Sequence, residues 1–378
     1  MSYQTLTGKR CVLGVTGSIA AVETIRLAHE LRRRGAEVQA VLSDAAARIV
    51  HPDALTYATG RPAITHLSGL VEHVQWCGEE GLADLLLLAP CTANTIGKIA
   101  CGIDDTPVTT FATTALGSGV PVVLVPAMHA SMYCHRAVAE NLARVRDLGV
   151  TVVPPRMEEG RAKIAEMETI VLEAERAVSS KPLAGRRVLI TSGPCRETVD
   201  DVRVLTTRST GQIGRALAFE AYRRGADVTV VHADAFPCVR NIPMTSAADL
   251  REAVLAIGKE EGIDIYVSAA AISDFAPEPF AGKIPSGTPT TLFLNPLPKV
   301  LDEVIERFGP YTIAFKLAED ADAQAAGLLE KGAAIVVANT PSAMGAAEGT
   351  FALHTSHGIR VVEGSKEEVA AAIWSSVQ

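Results

Sequence analysis

The chain is 378 residues long, 48% apolar, with a formal net charge of −8. That length exceeds one ordinary core and predicts two domains. The acidic balance argues against a nucleic-acid partner, because neutralising phosphates takes an excess of Lys and Arg. The basic run Arg32-Arg33-Arg34 reads as the solvated end of a helix. Residues 1–10 are polar and hold no apolar signal core. The longest apolar stretches, 82–90 and 120–128, are about half of what spans a bilayer and suit buried strands. No membrane partner is expected. Cysteines at 11, 77, 91, 101, 134, 195 and 238 are odd in number, scattered and free of C-x-x-C, which suits reduced thiols in a cytoplasmic protein. His354 and His357 have no further ligands nearby and read as loop surface.

In chain order, residues 10–15 form an apolar run that stops at Thr16-Gly17-Ser18. Ile25, Leu27, Ala28 and Leu31 follow at helical spacing, Gly35 ends the helix, and residues 38–42 read as the next strand. Residues 185–234 repeat the plan. A strand over 187–191 meets the turn Ser192-Gly193-Pro194, a longer loop reaches 209–214, a helix runs to Arg224-Gly225, and 228–231 is a strand. This rhythm predicts an α/β fold of two doubly wound, Rossmann-like domains, each a mostly parallel sheet covered on both faces. The seam is expected at Ser179-Ser180-Lys181-Pro182, giving domains 1–180 and 181–378.

Ligands in such folds bind at the carboxyl ends of strands. The loops there are 16–20, 89–94, 126–132, 191–197, 209–214 and 269–275. Several lead directly into helices, whose free N–H groups favour a phosphate-bearing ligand. Neither half has G-x-G-x-x-G with an acidic residue at the right distance, so a mononucleotide fits better than a dinucleotide. Gly17-Ser18 can hold a phosphate, and Ala89-Pro90-Cys91-Thr92-Ala93-Asn94 adds a hydroxyl, an amide and backbone donors.

The segment Val15-Thr16-Gly17-Ser18-Ile19-Ala20-Ala21, the stretch from His73 to Asn94, and Pro126-Ala127-Met128 resemble the homo-oligomeric flavin-containing cysteine decarboxylases. In the second half, Gly193-Pro194, Asp200-Asp201-Val202-Arg203, the 209–214 turn, Ala269 to Phe275, Lys283, Asn295-Pro296, Phe315-Lys316, Lys331 and Asn339 follow in family order. Together they resemble the bifunctional phosphopantothenoylcysteine decarboxylase/phosphopantothenate–cysteine ligases, archaeal type, over nearly the whole chain. The resemblance implies a flavodoxin-like FMN domain followed by a nucleotide-binding ligase domain. The ligase joins phosphopantothenate to cysteine with CTP and Mg2+ through an acyl-cytidylate. The decarboxylase then converts phosphopantothenoylcysteine to phosphopantetheine.

By the same resemblance, FMN lies on Gly17, Ser18, Ser43, Ala89, Pro90, Thr92, Asn94 and Met128, with His73 as base. His129 stands where the family has the Asn of P-A-M-N, towards the substrate carboxylate. The lid segment 155–163 has no Cys, which leaves the last proton donor open; Cys134 lies nearby in sequence but reads first as a small core residue. CTP is implied at Gly193, Ser209, Gly211, Gly214, Ala270, Asp274, Lys283, Asn295, Pro296, Phe315 and Lys331, with Asp274 also at the metal. Arg203 falls at the acyl-phosphate region and Thr207 where the family has Asn; Gln212 replaces a Lys. The implied assembly is a homo-oligomer, trimers of the flavin domain with paired ligase domains, up to a dodecamer. Competing readings are one surviving activity, a non-catalytic flavin-binding regulator, and a nicotinamide-dependent reductase.

Overall fold

The computed structural model describes residues 3–158, 161–287, 289–318, 320–339 and 348–377. Contacts divide the chain into two units, Met1–Ser179 and Ser180–Gln378. The first contains β1 (Arg10–Val15), β2 (Glu37–Leu42), β3 (Leu85–Cys91), β4 (Val122–Pro126), β5 (Met128–His129), β6 (Thr151–Val152), β7 (Arg156–Glu158) and β8 (Arg161–Lys163). Its main sheet has the order β2-β1-β3-β4-β6, parallel throughout. β3 is buried along its whole length, as a strand covered on both faces must be. Its side chains alternate between two cores. Leu85 and Leu87 pack with Leu13, Leu27 and Leu31 on one face, while Leu86 and Leu88 pack with Val12, Ile96 and Phe111 on the other. β5, β8 and β7 form a small antiparallel sheet.

The second unit contains β9 (Arg187–Pro194), β10 (Arg196–Thr198), β11 (Val204–Thr206), β12 (Asp227–His232), β13 (Arg240–Pro243), β14 (Ile265–Ala271), β15 (Phe275–Pro277), β16 (Leu294–Pro296), β17 (Tyr311–Leu317), β18 (Ile335–Asn339), β19 (Glu348–Thr355) and β20 (Gly358–Ser365). The main sheet runs β13-β12-β9-β14-β17-β18-β19-β20, parallel as far as β18 and antiparallel beyond it. The C-terminal helix Lys366–Ser375 closes one face: Trp374 is buried and its Nε1 donates to the Leu217 carbonyl at 3.0 Å.

Two surface expectations are corrected. Arg32 and Arg33 are exposed, but Arg34 is half-buried and bridges Glu30 to the buried Glu175 of the helix Met167–Ala177. His354 is not loop surface. It is buried on β19 with Nε2 2.6 Å from the Asp322 carboxylate, because both faces of this strand are covered there and the helix Ala321–Glu330 lies on the one that His354 takes. Among the described residues no helix is long and apolar enough to cross a membrane.

Candidate active sites

In the first sheet the strand order reverses between β1 and β3, which opens a crevice at their carboxyl ends. Thr16 laces the two exit loops together. Its buried hydroxyl donates to the Pro90 carbonyl at 2.9 Å and accepts from the Thr92 backbone N–H at 2.9 Å. Ser43 is held alongside by its N–H on the Val15 carbonyl at 3.1 Å, and Ala127 by its N–H on the Cys91 carbonyl at 3.1 Å. The side chains of Ser18, Ser43 and Thr92 each cap a helix or 3-10 turn start. Asn94 is exposed in the first turn of the helix Ala93–Cys101. Gly17 has a packing reason: a Cβ there would meet the Ala45 Cβ at 2.4 Å.

A cavity of about 720 Å³ adjoins this crevice and brings Ser18, Met128 and His129 together with Arg156, Lys163 and Glu166. The small sheet builds it, since β8 pairs Ala162 with Met128 on β5. His129 Nδ1 lies 3.2 Å from Ser131 Oγ. Across the lid segment, Lys163 donates to Glu158 at 3.1 Å, and this bond with the charge of Arg156 holds the Glu158 carboxyl below its ordinary range. Glu159 and Gly160 of the lid lie outside the described residues. Cys134 is exposed and does not line the cavity, and burial pushes the Cys91 thiol far up.

His73 is not on the wall of this cavity. It sits half-buried on the helix Glu72–Cys77, edge-on to Phe111 with ring centroids 6.5 Å apart. Its Nδ1 is buried and has no hydrogen-bond partner among the described residues. Such a nitrogen costs stability unless a ligand satisfies it.

In the second sheet the order reverses between β9 and β14. Gly211, in the left-handed region at φ 71°, caps the helix Gln212–Arg223, and a Cβ there would lie 3.2 Å from the Gly193 Cα. Gly214 serves packing instead: a Cβ would lie 2.2 Å from Ser192 Oγ. A cavity of about 540 Å³ runs from this helix start along the strand ends. It gathers the expected Thr207, Ser209, Gly211, Ala270, Asp274, Phe315 and Lys331, together with Gln212, Lys316 and Asn339.

It does not gather Gly193, Gly214, Arg203, Lys283, Asn295 or Pro296. Asn295 and Pro296 are exposed on β16, paired with β15, and the chain turns back only afterwards, so Leu297, Pro298 and Lys299 line the cavity instead. Two prolines two residues apart made the sequence ambiguous here. Lys299, Phe351 and Lys366 were also missed. A lysine announces nothing by itself, and Phe351 and Lys366 come from elements far along the chain.

Asp274 is hydrogen-bonded to Lys299, and Lys331 Nζ lies 2.7 Å from Asp302. Lys299, Lys316, Lys331 and Lys366 against Asp274 and Asp302 leave the lining formally positive. Among the described residues no three His, Cys, Asp or Glu side chains cluster to hold a metal, so Asp274 is a single donor. Arg203 and Lys283 are held near one another outside this cavity. Arg203 Nη1 lies 2.5 Å from Asp200, which also accepts the Ile284 N–H at 3.0 Å, and Asp201 N–H bonds the Gly282 carbonyl at 3.1 Å. Desolvation raises the Asp200 pKa. The N–H groups of Val202, Ile284 and Arg203 and the Arg203 charge outweigh it, and the carboxyl falls to about 2.

Two doubly wound units, each with a crevice at its strand reversal, define an α/β protein of two Rossmann-like domains. Residues 1–179 match the family model "Flavoprotein", and residues 183–378 match "DNA/pantothenate metabolism flavoprotein C-terminal domain". The coenzyme A biosynthesis bifunctional protein CoaBC of Thermococcus kodakarensis is 44% identical over 99% of this chain and 96% of its own length. That of Methanocaldococcus jannaschii is 35% identical over 79% of this chain and 73% of its own, and that of Vibrio vulnificus 36% over 74% and 71%. The chain belongs to the family of coenzyme A biosynthesis bifunctional proteins. It is an enzyme with phosphopantothenoylcysteine decarboxylase and phosphopantothenate–cysteine ligase activities, and both halves are matched across their length.

Proposed function

We propose that the first unit binds FMN at the β1/β3 crevice and that the second unit uses CTP with Mg2+ in its lysine-lined cavity. The observation that carries this reading is the cavity at the start of the helix Gln212–Arg223, where backbone donors and lysines converge. A nucleoside triphosphate suits a lining of that charge. Asp274 would be one protein donor to Mg2+ carried on the triphosphate, which would supply charge neutralisation there. The carboxylate of phosphopantothenate attacks the α-phosphorus as the bond to pyrophosphate breaks, and the cysteine amine then displaces CMP. The lysines stabilise charge on the phosphoryl oxygens. Arg203 and Lys283 serve the acyl end, with Thr207, and Gly193 and Gly214 shape the turn.

The flavin parts also fit. Gly17, Ser18, Ser43, Ala89, Pro90, Thr92 and Asn94 surround one crevice with hydroxyls and helix starts, and His73 Nδ1 awaits a partner. Bound FMN supplies the oxidation of the substrate thiol. His73 takes up the proton. His129, beside Met128 in the cavity, has Nδ1 near Ser131 and offers Nε2 to the substrate carboxylate. The protein works in the cytoplasm as a trimer-based homo-oligomer.

The test is both half-reactions on the full-length chain: pyrophosphate release with CTP, phosphopantothenate and cysteine, and carbon dioxide release from phosphopantothenoylcysteine. Purified protein is expected to be yellow. Colourless protein that added FMN cannot reconstitute, or ligation with ATP but not CTP, overturns the corresponding half.

A further inference from the structure

β17 is an inner strand of the second sheet, paired in parallel with β14 on one side and β18 on the other. Its Ile313 and Ala314 are buried, and Ala314 packs with Ala325 of the helix Ala321–Glu330 and with Val336 of β18. Side chains alternate along a strand, so Lys316 leaves β17 on the same face as Ala314, just beyond the last core residue. It is half-buried, pairs with Ala338 on β18, and lines the second cavity. The strand does not need a cation there. A half-buried ammonium gives up part of its hydration, and a scaffold usually returns it through a carboxylate or a hydrogen bond.

The chain supplies neither. Among the described residues the carboxylates lining the cavity are Asp274 and Asp302, and these are taken by Lys299 and Lys331. Lys366 is held against the Phe351 ring, with Nζ 4.6 Å from its centroid. Among the same residues the Lys316 ammonium has no ion pair and no hydrogen bond. The charge that the paired lysines lose to their own carboxylates therefore stays available at Lys316. Its strand neighbour β14 ends in the loop that carries Ser273 and Asp274 into the cavity. Adjacent strands lie about 4.8 Å apart. An anionic group lying over the end of β14 is thus within reach of a lysine side chain from β17.

We propose that Lys316 is a phosphate-binding residue whose ammonium donates to a phosphoryl oxygen of the nucleoside triphosphate in this cavity. The inference rests on the reading of that cavity as the CTP site.

The experiment is equilibrium binding of CTP with Mg2+ to the full-length chain, well below its melting temperature, at low and high salt, with inorganic tripolyphosphate as competitor. Lys316→Met is expected to weaken CTP binding roughly tenfold or more, as loss of a charged hydrogen bond does. Tripolyphosphate competition should weaken in parallel, and the dependence of CTP affinity on salt should flatten. Lys316→Arg is expected to stay within a few-fold of the parent. Parent-like CTP affinity in Lys316→Met overturns the inference. Weaker CTP binding with unchanged tripolyphosphate competition also overturns it, since the ammonium would then serve the nucleoside. Should Lys316→Met melt below the parent, Lys316→Gln decides, and parent-like affinity or an unchanged salt dependence there overturns the inference equally. Failure of the unsubstituted chain to bind CTP overturns the site reading itself.

Discussion

His73 shows what a single residue contributes and what its surroundings add. The sequence marks it by position before the 89–94 loop; the structure adds a buried Nδ1 with no partner among the described residues, and a ring edge-on to Phe111. His73→Asn is expected to lower carbon dioxide release by about a hundredfold to ten-thousandfold while the bound-flavin absorbance persists. A loss of only a few-fold removes it from the chemistry. Asp264 makes a prediction of another kind. Hydrogen bonds from the Arg187 side chain, then from its backbone N–H, hold this carboxyl at about 2. Its folded value lies below the ordinary one near 3.8. The pair therefore stabilises fully above that ordinary value, and the contribution disappears as pH falls towards about 2. Asp264→Asn should flatten the fall in melting temperature of the second unit between about pH 4 and 2. An unchanged slope would show that the pair contributes nothing.

At the scale of elements, the glycines divide into those that shape a turn and those that let two elements touch. The sequence shows Gly17 and Gly214 beside ligand loops. The fold shows Gly17 against Ala45 and Gly214 against Ser192. Their absent Cβ atoms make room for neighbouring protein, and this could not be read from spacing because Ala45 and Ser192 approach only after folding. Gly214→Ala puts a Cβ 2.5 Å from the Ser192 Cβ. Overpacking of that kind costs about 1–3 kcal/mol. The second unit should melt lower, and the double variant with Ser192→Gly should recover most of the loss. Failure of the double variant to recover would mean that Gly214 serves something other than helix–strand packing. Asn295 and Pro296 illustrate the reverse: they stand on β16, immediately before the chain reaches the cavity at Leu297.

For the whole molecule, each unit has its own sheet and core, with the division after Ser179. Damage should therefore remain local. Two thermal transitions are expected, with FMN raising one and CTP with Mg2+ the other; a single transition raised by both ligands would mean that the units unfold together. Lys283→Gln is expected to suppress CTP-dependent pyrophosphate release and leave decarboxylation near the parent rate. Lys283 is exposed and beside the Asp200–Arg203 turn rather than in the cavity. If both rates stay unchanged, it is an ordinary surface charge. If both fall, its role is structural.

Strand and helix periodicity, the two copies of the doubly wound plan and the order of loop motifs were legible in the residues alone, because they follow from local geometry and from which faces must be buried. The sequence likewise carried Thr207, Ser209, Asp274 and Lys331 to the same site. The company those residues keep depended on tertiary structure. Lys299 bonds to Asp274, Asp302 to Lys331, and Arg203 to Asp200. Phe351 reaches the cavity because β19 starts beside the carboxyl end of β18, antiparallel to it, and Lys366 because β20 runs back along β19 to the same edge. Periodicity reports whether a side chain is buried, whereas the partner it meets depends on strand order, which brings together residues far apart along the chain.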